Sequence, residues 1–340
     1  MHLPVNLRAG LLVMFRFVAA LASAYGALSS LFLVTSLTAP VARAWGCKGH
    51  QTVALIAEDH LTPEGKELVL GLLRENPIDP HVKRYCGSAV SDPMADASTW
   101  ADDVRGERNN GPWHYIDIPR GAARGPLDGY CGKEGCVVSA LAEQVAILKD
   151  QSASSVKRAE AARYIIHFVG DLHQPLHSTT NADEGGNCVP VTYLRRTPHE
   201  RGHGYSPNLH SIWDTAILER DSEGADPGEY MEMVEGMNLG GGAIEAWQKA
   251  GIHVDDWVWE SHEYAETNVY GGLTPKVALE PNVPVHRCTD DNNIALRLLH
   301  QHITANEAYQ TEAARVVERR LAQAGVRLAM ILNEAAKPTP

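Results

Sequence analysis

The densest group of candidate metal ligands in the chain lies between His167 and His177. The segment HFVGDLHQPLH holds three histidines and one aspartate within eleven residues. On a helix, His167 and Asp171 are four residues apart and share one face, so together they can hold one metal ion. Pro175 is expected to end that helix, because it lacks a backbone N–H and clashes with the preceding turn. His177 then projects in a new direction, which predicts a second metal position.

Further His and Asp residues could complete such sites. His210 and Asp214 repeat the four-residue spacing, while Asp102 and His114 lie in the segments WADDVR and WHYID. Imidazole nitrogen mixed with carboxylate oxygen suits Zn²⁺. Taken singly, the same residues could be a surface His–Asp pair, a helix-end carboxylate and a strand-end histidine. Their coincidence with the first group favours metal binding.

The N-terminal part of the chain predicts an exported protein. A long apolar run ends at Ala42-Arg43-Ala44, a pattern typical of signal-peptidase cleavage. We expect residues 1–44 to be a signal peptide, with residues 45–340 forming the mature protein. Trp45 would then carry a free α-amine that can bind a metal together with His50. The run 17–42 is also long enough for an uncleaved membrane anchor, but the sharp change to polar sequence after Ala44 favours cleavage.

The net charge and the cysteine content limit the classes of function that this protein can have. The formal net charge is −12 and becomes −15 without the leader, whose only charged side chains are three arginines. Tracking a nucleic-acid duplex needs a basic face, so a nucleic-acid substrate would have to be held by a few local cations, including metals.

Six cysteines in an exported chain predict disulfides. We pair Cys131 with Cys136 across a short glycine loop, and Cys47–Cys86 and Cys188–Cys288 would complete the set. Zinc thiolates are disfavoured because paired C-x2-C knuckles are absent from the sequence.

The hydrophobic pattern predicts one mainly α-helical domain. Apolar residues at helical spacing indicate helices over residues 51–60, 63–73, 137–149, 155–170 and 304–333. Short strands are expected at 113–118 and 189–194. Loops rich in Gly, Pro, Asn and Asp are expected at 105–112, 181–187, 198–208 and 221–228.

The ordered motifs resemble the S1/P1 nuclease family, which is related to zinc-dependent phospholipase C. The resemblance covers Trp45 to Asp214 closely and continues more loosely through the helical remainder. It is carried by Trp45-x4-His50, Trp100-Ala-Asp102, His114-Tyr115-Ile-Asp117, His167-x3-Asp171, His173-Gln-Pro-Leu-His177, Gly185-Gly186-Asn187 and His210-x3-Asp214.

The resemblance implies three zinc ions per chain. One would be held by Asp102, His114, His167 and Asp171. A second would take the amine and carbonyl of Trp45, with His50 and a shared oxygen of Asp171. The third would take His177, His210 and Asp214.

The resemblance also implies roles around the metals. Arg105 would stabilise charge on the phosphoryl oxygens, and Asn187 would lie near the scissile phosphate. Tyr115 and Asp117 would form a base pocket by stacking and hydrogen bonding, although Tyr115 could equally be a core residue and Asn187 could simply shape the glycine turn. His173 would support the ligands from behind them.

These features predict a secreted or periplasmic zinc-dependent hydrolase. It would cut single-stranded DNA and RNA to 5′-phosphorylated products and also act on 3′-nucleotides, with no stable protein partner. Two alternatives are a zinc-dependent phospholipase C and a non-catalytic zinc-binding secreted protein. The position of His50 and the presence of Asp rather than Glu at 214 favour the nuclease.

Overall fold

The helices predicted from apolar spacing form the framework of the structure. The computed structural model describes residues 45–238, 241–280, 288–289 and 293–338. The expected helix over 137–149 is confirmed at both ends, and the one beginning at 155 runs on to His173. The expected leader, together with its membrane-anchor alternative, lies outside the described residues. The mainly α-helical fold class is confirmed.

The helices in the described ranges are numbered along the chain. They are α1 (Cys47–Asp59), α2 (Pro63–Glu75), α3 (Pro93–Ala97), α4 (Trp100–Arg108), α5 (Val137–Lys149), α6 (Ser155–His173), α7 (Leu209–Ser211), α8 (Ile217–Asp221), α9 (Pro227–Asn238), α10 (Ala243–Ala250), α11 (Val254–Tyr264), α12 (Ile294–Leu299) and α13 (Glu307–Ala335). Single 3-10 turns occupy Gly111–His114, Asp128–Tyr130 and Pro175–Ser178, and π-helical turns occupy Ile212–Ala216 and Ala265–Tyr270.

Helix α6 lies at the centre of the core. Its hydroxyl cap at Ser154 accepts a hydrogen bond from the Lys157 amide, which starts the helix. Every residue from Ala161 to His173 is buried, as expected for a helix surrounded by other elements. It packs against α5, α13, α2 and α11. The helix ends at His173, before Pro175 as predicted, so its C-terminal half and the next 3-10 turn carry their polar side chains inside the protein.

Two expected strands are corrected. Residues 113–118 form the end of a 3-10 helix and then an extended segment, because Pro112 begins a tight turn. That segment lies beside residues 177–180 through the bonds Ile116 N to His177 O, at 2.8 Å, and Arg120 N to Thr180 O, at 2.9 Å. Only two residues of the expected 189–194 strand, β1 (Thr192–Tyr193), pair in parallel with β4 (Thr304–Ala305), which delays the last helix to Glu307.

Residues 198–208 are not simply a loop. They contain the antiparallel strands β2 (His199–Arg201) and β3 (Gly204–Ser206). Gly202 has a φ of 61° in the connecting turn, a conformation that glycine adopts without strain. The expected loop at 105–112 is also shortened, because α4 continues to Arg108.

Disulfides fasten three parts of the chain. All three expected pairs are present: Cys47–Cys86, Cys131–Cys136 and Cys188–Cys288. The first ties the start of α1 to the loop before α3, and the third ties the glycine turn at 185–186 to the segment before α12. Within the described ranges, no helix is long and apolar enough to cross a membrane.

Candidate metal centre and active site

Two interlocking groups of ligand atoms lie at the C-terminal half of α6. Nε2 of His167 lies 3.3 Å from Oδ2 of Asp171, which confirms that the four-residue spacing puts both on one face. Nδ1 of His114 lies 3.1 Å from the same carboxylate oxygen. His50 approaches from α1, with Nε2 at 3.5 Å from Oδ1 of Asp171. Asp102, from α4, lies with Oδ1 at 3.8 Å from Nδ1 of His114. All five side chains are buried.

A third group of ligand atoms lies beyond the break in α6. Nε2 of His177 lies 3.2 Å from Nε2 of His210, and that nitrogen is 3.2 Å from Oδ2 of Asp214. His177 comes from the 3-10 turn after Pro175, so the helix break does direct it to a separate position. Asp214 lies in the π-helical turn that follows α7.

The histidines of these clusters are oriented by backbone carbonyl groups. Nδ1 of His167 donates to the Ser98 carbonyl at 2.7 Å, and Nδ1 of His210 donates to the Gly185 carbonyl at 2.6 Å. Nδ1 of His177 similarly donates to the carbonyl of His114 at 2.7 Å. A proton held on Nδ1 leaves the Nε2 lone pair free to face the cluster, which is the usual arrangement behind a metal-binding histidine.

The electrostatics favour neutral imidazoles in most of the centre. Burial and the neighbouring histidines hold the pKa values of His50 and His177 well below the usual range. Burial also opposes a charge on His167, but Asp171 and Asp102 outweigh it and raise its pKa to about 9. Burial raises the pKa of Asp171 to about 6 despite His167. Packing these groups together is costly for the protein alone.

The donor atoms fit metal ions. Nε2 of His50, Oδ1 of Asp102 and both carboxylate oxygens of Asp171 are buried without a hydrogen-bond partner among the described residues. Buried polar atoms normally have such partners, whereas a divalent cation would satisfy all of these at once. The atoms of each triad lie within 4.8 Å of one another: His50, Asp102 and His167; His114, His167 and Asp171; His177, His210 and Asp214. Nitrogen and oxygen donors in this mixture suit zinc.

The Trp45 segment runs beside both halves of the centre. The indole of Trp45 is fully buried, and the Gly46 amide donates to the Asp214 carbonyl at 2.7 Å. Gly170 allows this approach, since a Cβ there would lie 2.9 Å from Nδ1 of His50 and 3.8 Å from Cδ1 of Trp45.

Arg105 and Asn187 lie at the edge of the clusters. Arg105 is buried rather than solvated: one guanidinium nitrogen is 4.0 Å from Oδ1 of Asp102 and another donates to the Gly111 carbonyl at 3.3 Å. A guanidinium held this way can contact oxygens of a phosphate. Asn187 donates from Nδ2 to the Glu184 carbonyl at 2.8 Å, so it shapes the glycine turn.

Tyr115 and Asp117 lie in the extended segment that follows His114. Tyr115 is half-buried and belongs to no strand. Its neighbours include Asp117, Arg105, Glu184 and Glu134, and burial raises the pKa of its hydroxyl. Asp117 reaches the surface, yet the surrounding protein and the nearby Asp183 raise its pKa to about 6.

Several supporting residues were not predicted from the sequence. They are the carbonyl groups of Ser98 and Gly185, the small side chain of Gly170, and the amide of Gln174, which orients Asp214. Backbone acceptors leave no signal in the residue types of a sequence. Gln174, in contrast, could have been singled out because it lies between two ligand motifs. His173 lies outside all three triads: Nδ1 donates to the Val169 carbonyl at 2.7 Å, and Nε2 accepts from Arg327 at 2.9 Å.

A buried set of adjoining His and Asp triads beside a guanidinium defines a candidate metal-dependent phosphoesterase. The family model of the S1/P1 nucleases matches residues 45–337 of this chain. The chain therefore belongs to the S1/P1 nuclease family.

Curated relatives are nucleases of fungi and plants. Nuclease P1 of Penicillium citrinum is 35% identical over 183 residues, covering 52% of this chain and 59% of the relative. Nuclease S1 of Aspergillus oryzae is 32% identical over 187 residues, covering 53% and 56%. Endonuclease 4 of Arabidopsis thaliana is 27% identical over 313 residues, covering 87% and 90%. The chain thus spans somewhat more than half the length of the two fungal relatives and most of the plant one.

Proposed function

We propose that this chain is a secreted, zinc-dependent nuclease. It hydrolyses single-stranded DNA and RNA at the P–O3′ bond, leaves 5′-phosphorylated products and removes the phosphate of 3′-nucleotides. The observation that carries the proposal is the junction of the three His/Asp triads around α6 within a member of the S1/P1 family. Export is supported by the three disulfides, which persist in oxidising compartments.

The ligand set is divided among three zinc ions. Asp102, His114, His167 and Asp171 would hold one, and Trp45, His50 and Asp171 would hold a second. His177, His210 and Asp214 would hold the third, and with only three protein ligands it would remain accessible to a substrate oxygen. Bound zinc would supply Lewis acidity and a water that is deprotonated near neutral pH.

The side chains around the metals position the substrate. Arg105 holds its guanidinium beside Asp102, where it stabilises the charge that develops on the phosphoryl oxygens. Asp102 would hold one of the zinc ions through Oδ1, which has no hydrogen-bond partner among the described residues. Tyr115 stacks on a base and Asp117 hydrogen-bonds its edge, which requires an unpaired base that can leave its strand. Asn187 sits at the glycine turn next to Gly185, the residue that orients His210.

Zinc analysis and hydrolysis assays test the proposal together. The purified protein is expected to contain three zinc ions and to cut a single-stranded 20-mer, RNA and 3′-AMP, with duplex DNA cut slowly. Phosphatidylcholine is the substrate that tests the phospholipase alternative, which predicts lipid cleavage without nucleotide release. Chelation is expected to abolish hydrolysis and lower the Tm, because the ligands come from distant segments and bind only the folded state. A zinc-loaded protein without hydrolytic activity would instead support the alternative of a non-catalytic zinc-binding protein.

A further inference from the structure

A basic hairpin immediately precedes the helix that carries His210 on an otherwise acidic protein. We define the basic hairpin as residues 195–206, which include β2, β3 and the preceding tight turn. Residues 195–203 carry Arg195, Arg196 and Arg201 against one acid, Glu200, whereas residues 45–340 have a net charge of −15. The three arginines are exposed.

The arginines of the hairpin have no protein partner in the described part of the chain. None of the three guanidinium groups takes part in an ion pair or hydrogen bond among those residues, in contrast to exposed Arg220, whose guanidinium binds Glu307 at 2.9 Å. Positive charge that is not used within the protein remains available to an anionic ligand.

The base of the hairpin packs against the disulfide beside the glycine turn, whose Gly185 carbonyl orients His210 of the third triad. Gly204 lies against Cys288, with a Cβ position 3.8 Å from Sγ of that cysteine, and Cys288 is bonded to Cys188, next to Asn187. Strand β3 then leads through Pro207 to α7, where Asn208 accepts a hydrogen bond from the Ser211 amide at 2.8 Å. Six residues separate Gly204 from His210, so the two lie within about 20 Å even if the chain between them is extended.

The other end of the hairpin is also held rigidly. Tyr193 and Arg196 exchange backbone hydrogen bonds at 3.0 and 2.9 Å, which closes the turn that displays Arg195. The Leu194 amide donates to the Ala305 carbonyl at 2.9 Å, and the buried Tyr193 hydroxyl donates to Gln310 of α13. The backbone that carries the arginines is thus held in place, so less conformational entropy is lost when a ligand binds.

We infer that the basic hairpin binds the phosphate backbone of the substrate strand beyond the scissile phosphate. Without these arginines, a strand leaving the third triad would have to be held by a protein whose residues 45–340 have a net charge of −15. Three guanidinium groups matched to successive phosphates would retain it without reading sequence. This inference rests on the proposed single-stranded substrate.

A membrane is a weaker partner for the same charges. Surface-binding segments combine basic residues with apolar side chains that enter the lipid interface. None of the large exposed hydrophobic residues of the described chain belongs to residues 195–206; they are Tyr85, Val156, Met233, Met237, Ile252, Leu279 and Leu296. A polyanion that also has to reach His210 fits the position and the composition of the hairpin.

The test compares a hairpin variant with a control of equal charge. The variant combines Arg195→Gln, Arg196→Gln and Arg201→Gln. The control combines Arg74→Gln, Lys149→Gln and Lys157→Gln, three exposed residues in α2, α5 and the first turn of α6. Lys157 lies about 21 Å along α6 from Asp171, at 1.5 Å per residue. Both zinc-loaded proteins are measured at 50 and 200 mM salt.

Length dependence and salt dependence are the readouts. The hairpin variant should lose kcat/KM on a 20-mer but not on a dinucleotide, which is too short to reach the hairpin. Binding of a phosphorothioate 20-mer, followed by anisotropy, should have a salt slope lower by about 2, since each phosphate contact on a single strand contributes about 0.7. Wild-type affinity should therefore fall about 15-fold more than variant affinity between the two salt concentrations. The control should behave as the wild type.

Equal salt slopes of the hairpin variant and the wild type would overturn the inference, as would an equal loss in the control. Loss of binding to phosphatidylglycerol vesicles with unchanged 20-mer affinity would overturn it in favour of a membrane. A wild type that binds the phosphorothioate 20-mer through the hairpin but cuts no single strand would refute the proposed function while supporting the hairpin.

Discussion

Nε2 of Gln174 lies 2.5 Å from Oδ1 of Asp214, so the residue at the end of α6 orients a ligand of the third triad. Oε1 of the same amide accepts from the Leu176 amide at 2.6 Å, which also caps the 3-10 turn carrying His177. One buried side chain therefore couples the helix break to two of the three ligands in that triad.

Replacing Gln174 should affect the third metal selectively. Gln174→Ala removes both bonds, and outer-shell changes of this kind usually cost 10- to 100-fold in metal affinity or activity. We expect occupancy of one zinc to fall by elemental analysis, with kcat reduced about 10- to 100-fold. Gln151→Ala, an exposed position in the loop before α6, is the control. Uniform loss of all zinc would contradict a local role.

Gly170 should tolerate no larger side chain. Gly170→Ala would put a Cβ 2.9 Å from Nδ1 and 3.1 Å from Cε1 of His50, so the imidazole has to move away from Asp171. We expect weaker binding of the second zinc, measured by competition with a chelator, and a lower kcat. Gly71→Ala is the control, because no atom outside the neighbouring residues and the local backbone of α2 lies within 4 Å of that Cβ position. Unchanged zinc affinity in Gly170→Ala would show that His50 can shift without cost.

The parts of the centre that follow helical spacing could be predicted from the sequence, whereas those set by tertiary packing could not. His167 and Asp171 share a face because α6 is regular, and His177 departs from it because of Pro175. The expected strand at 113–118 failed because the 3-10 turn Gly111–His114 occupies its beginning. The place of its extended part beside residues 177–180 depends on a long-range contact that the local sequence does not reveal. The expected loop at 198–208 failed because Gly and Pro mark turns without saying whether flanking residues pair. Gly170 carries no signal of its own, since its role depends on the distant His50.

Tyr115 should contribute to ground-state binding of the base. Tyr115→Ala removes a half-buried ring next to Asp117, and stacking on a base is worth about 1–3 kcal/mol. We expect KM for a single-stranded substrate to rise more than kcat falls. Tyr115→Phe keeps the ring and is expected to retain most of the affinity. Steady-state kinetics of both variants measure these changes in KM and kcat. An unchanged KM in Tyr115→Ala would show that Tyr115 has a structural role and does not bind the base.

Glu260 should stabilise the fold at neutral pH. Its Oε2 lies 2.7 Å from Nη1 of Arg320 and 2.6 Å from Nη1 of Arg327, and Arg320 is fully buried. Burial acts to raise the pKa of Glu260, but the two arginines outweigh it and hold it at about 2. Breaking such a pair leaves charge uncompensated, so Glu260→Gln should lower the free energy of unfolding by about 3 kcal/mol at pH 7.

The same pKa fixes the pH dependence of that loss. The native carboxylate titrates below the unfolded one, so its stabilising effect is present above the ordinary glutamate range near 4.5 and disappears as the pH falls toward 2. Urea unfolding at pH 7, 5 and 3.5 should show the difference between the wild type and Glu260→Gln becoming smaller at pH 3.5, part of the way to its disappearance near pH 2. Glu312→Gln, which breaks an exposed pair with Arg315, should cost under about 1 kcal/mol. A difference that stays constant with pH would contradict the assigned cause.

The free amine of Trp45 should be part of the centre in the mature protein. Trp45 is buried beside Gly170 and precedes the Gly46 amide that binds Asp214, so its backbone lies next to both metal-binding regions. An amine can bind zinc at neutral pH, whereas the amide formed by one extra residue is a poor donor. A protein that retains Ala44, or one acetylated at Trp45, should therefore bind one zinc weakly and lose most of its turnover.

A side-chain change at the same position separates backbone from indole. Trp45→Ala with a correctly processed terminus keeps the amine and carbonyl and removes only the packing of the ring, so its zinc content should remain near that of the wild type. Its Tm should fall instead, because a fully buried tryptophan replaced by alanine costs about 3–5 kcal/mol. Mass spectrometry of the terminus, zinc stoichiometry, Tm and kcat are compared across the three forms. Full zinc occupancy and full rate in a verified extended protein would exclude the amine as a ligand.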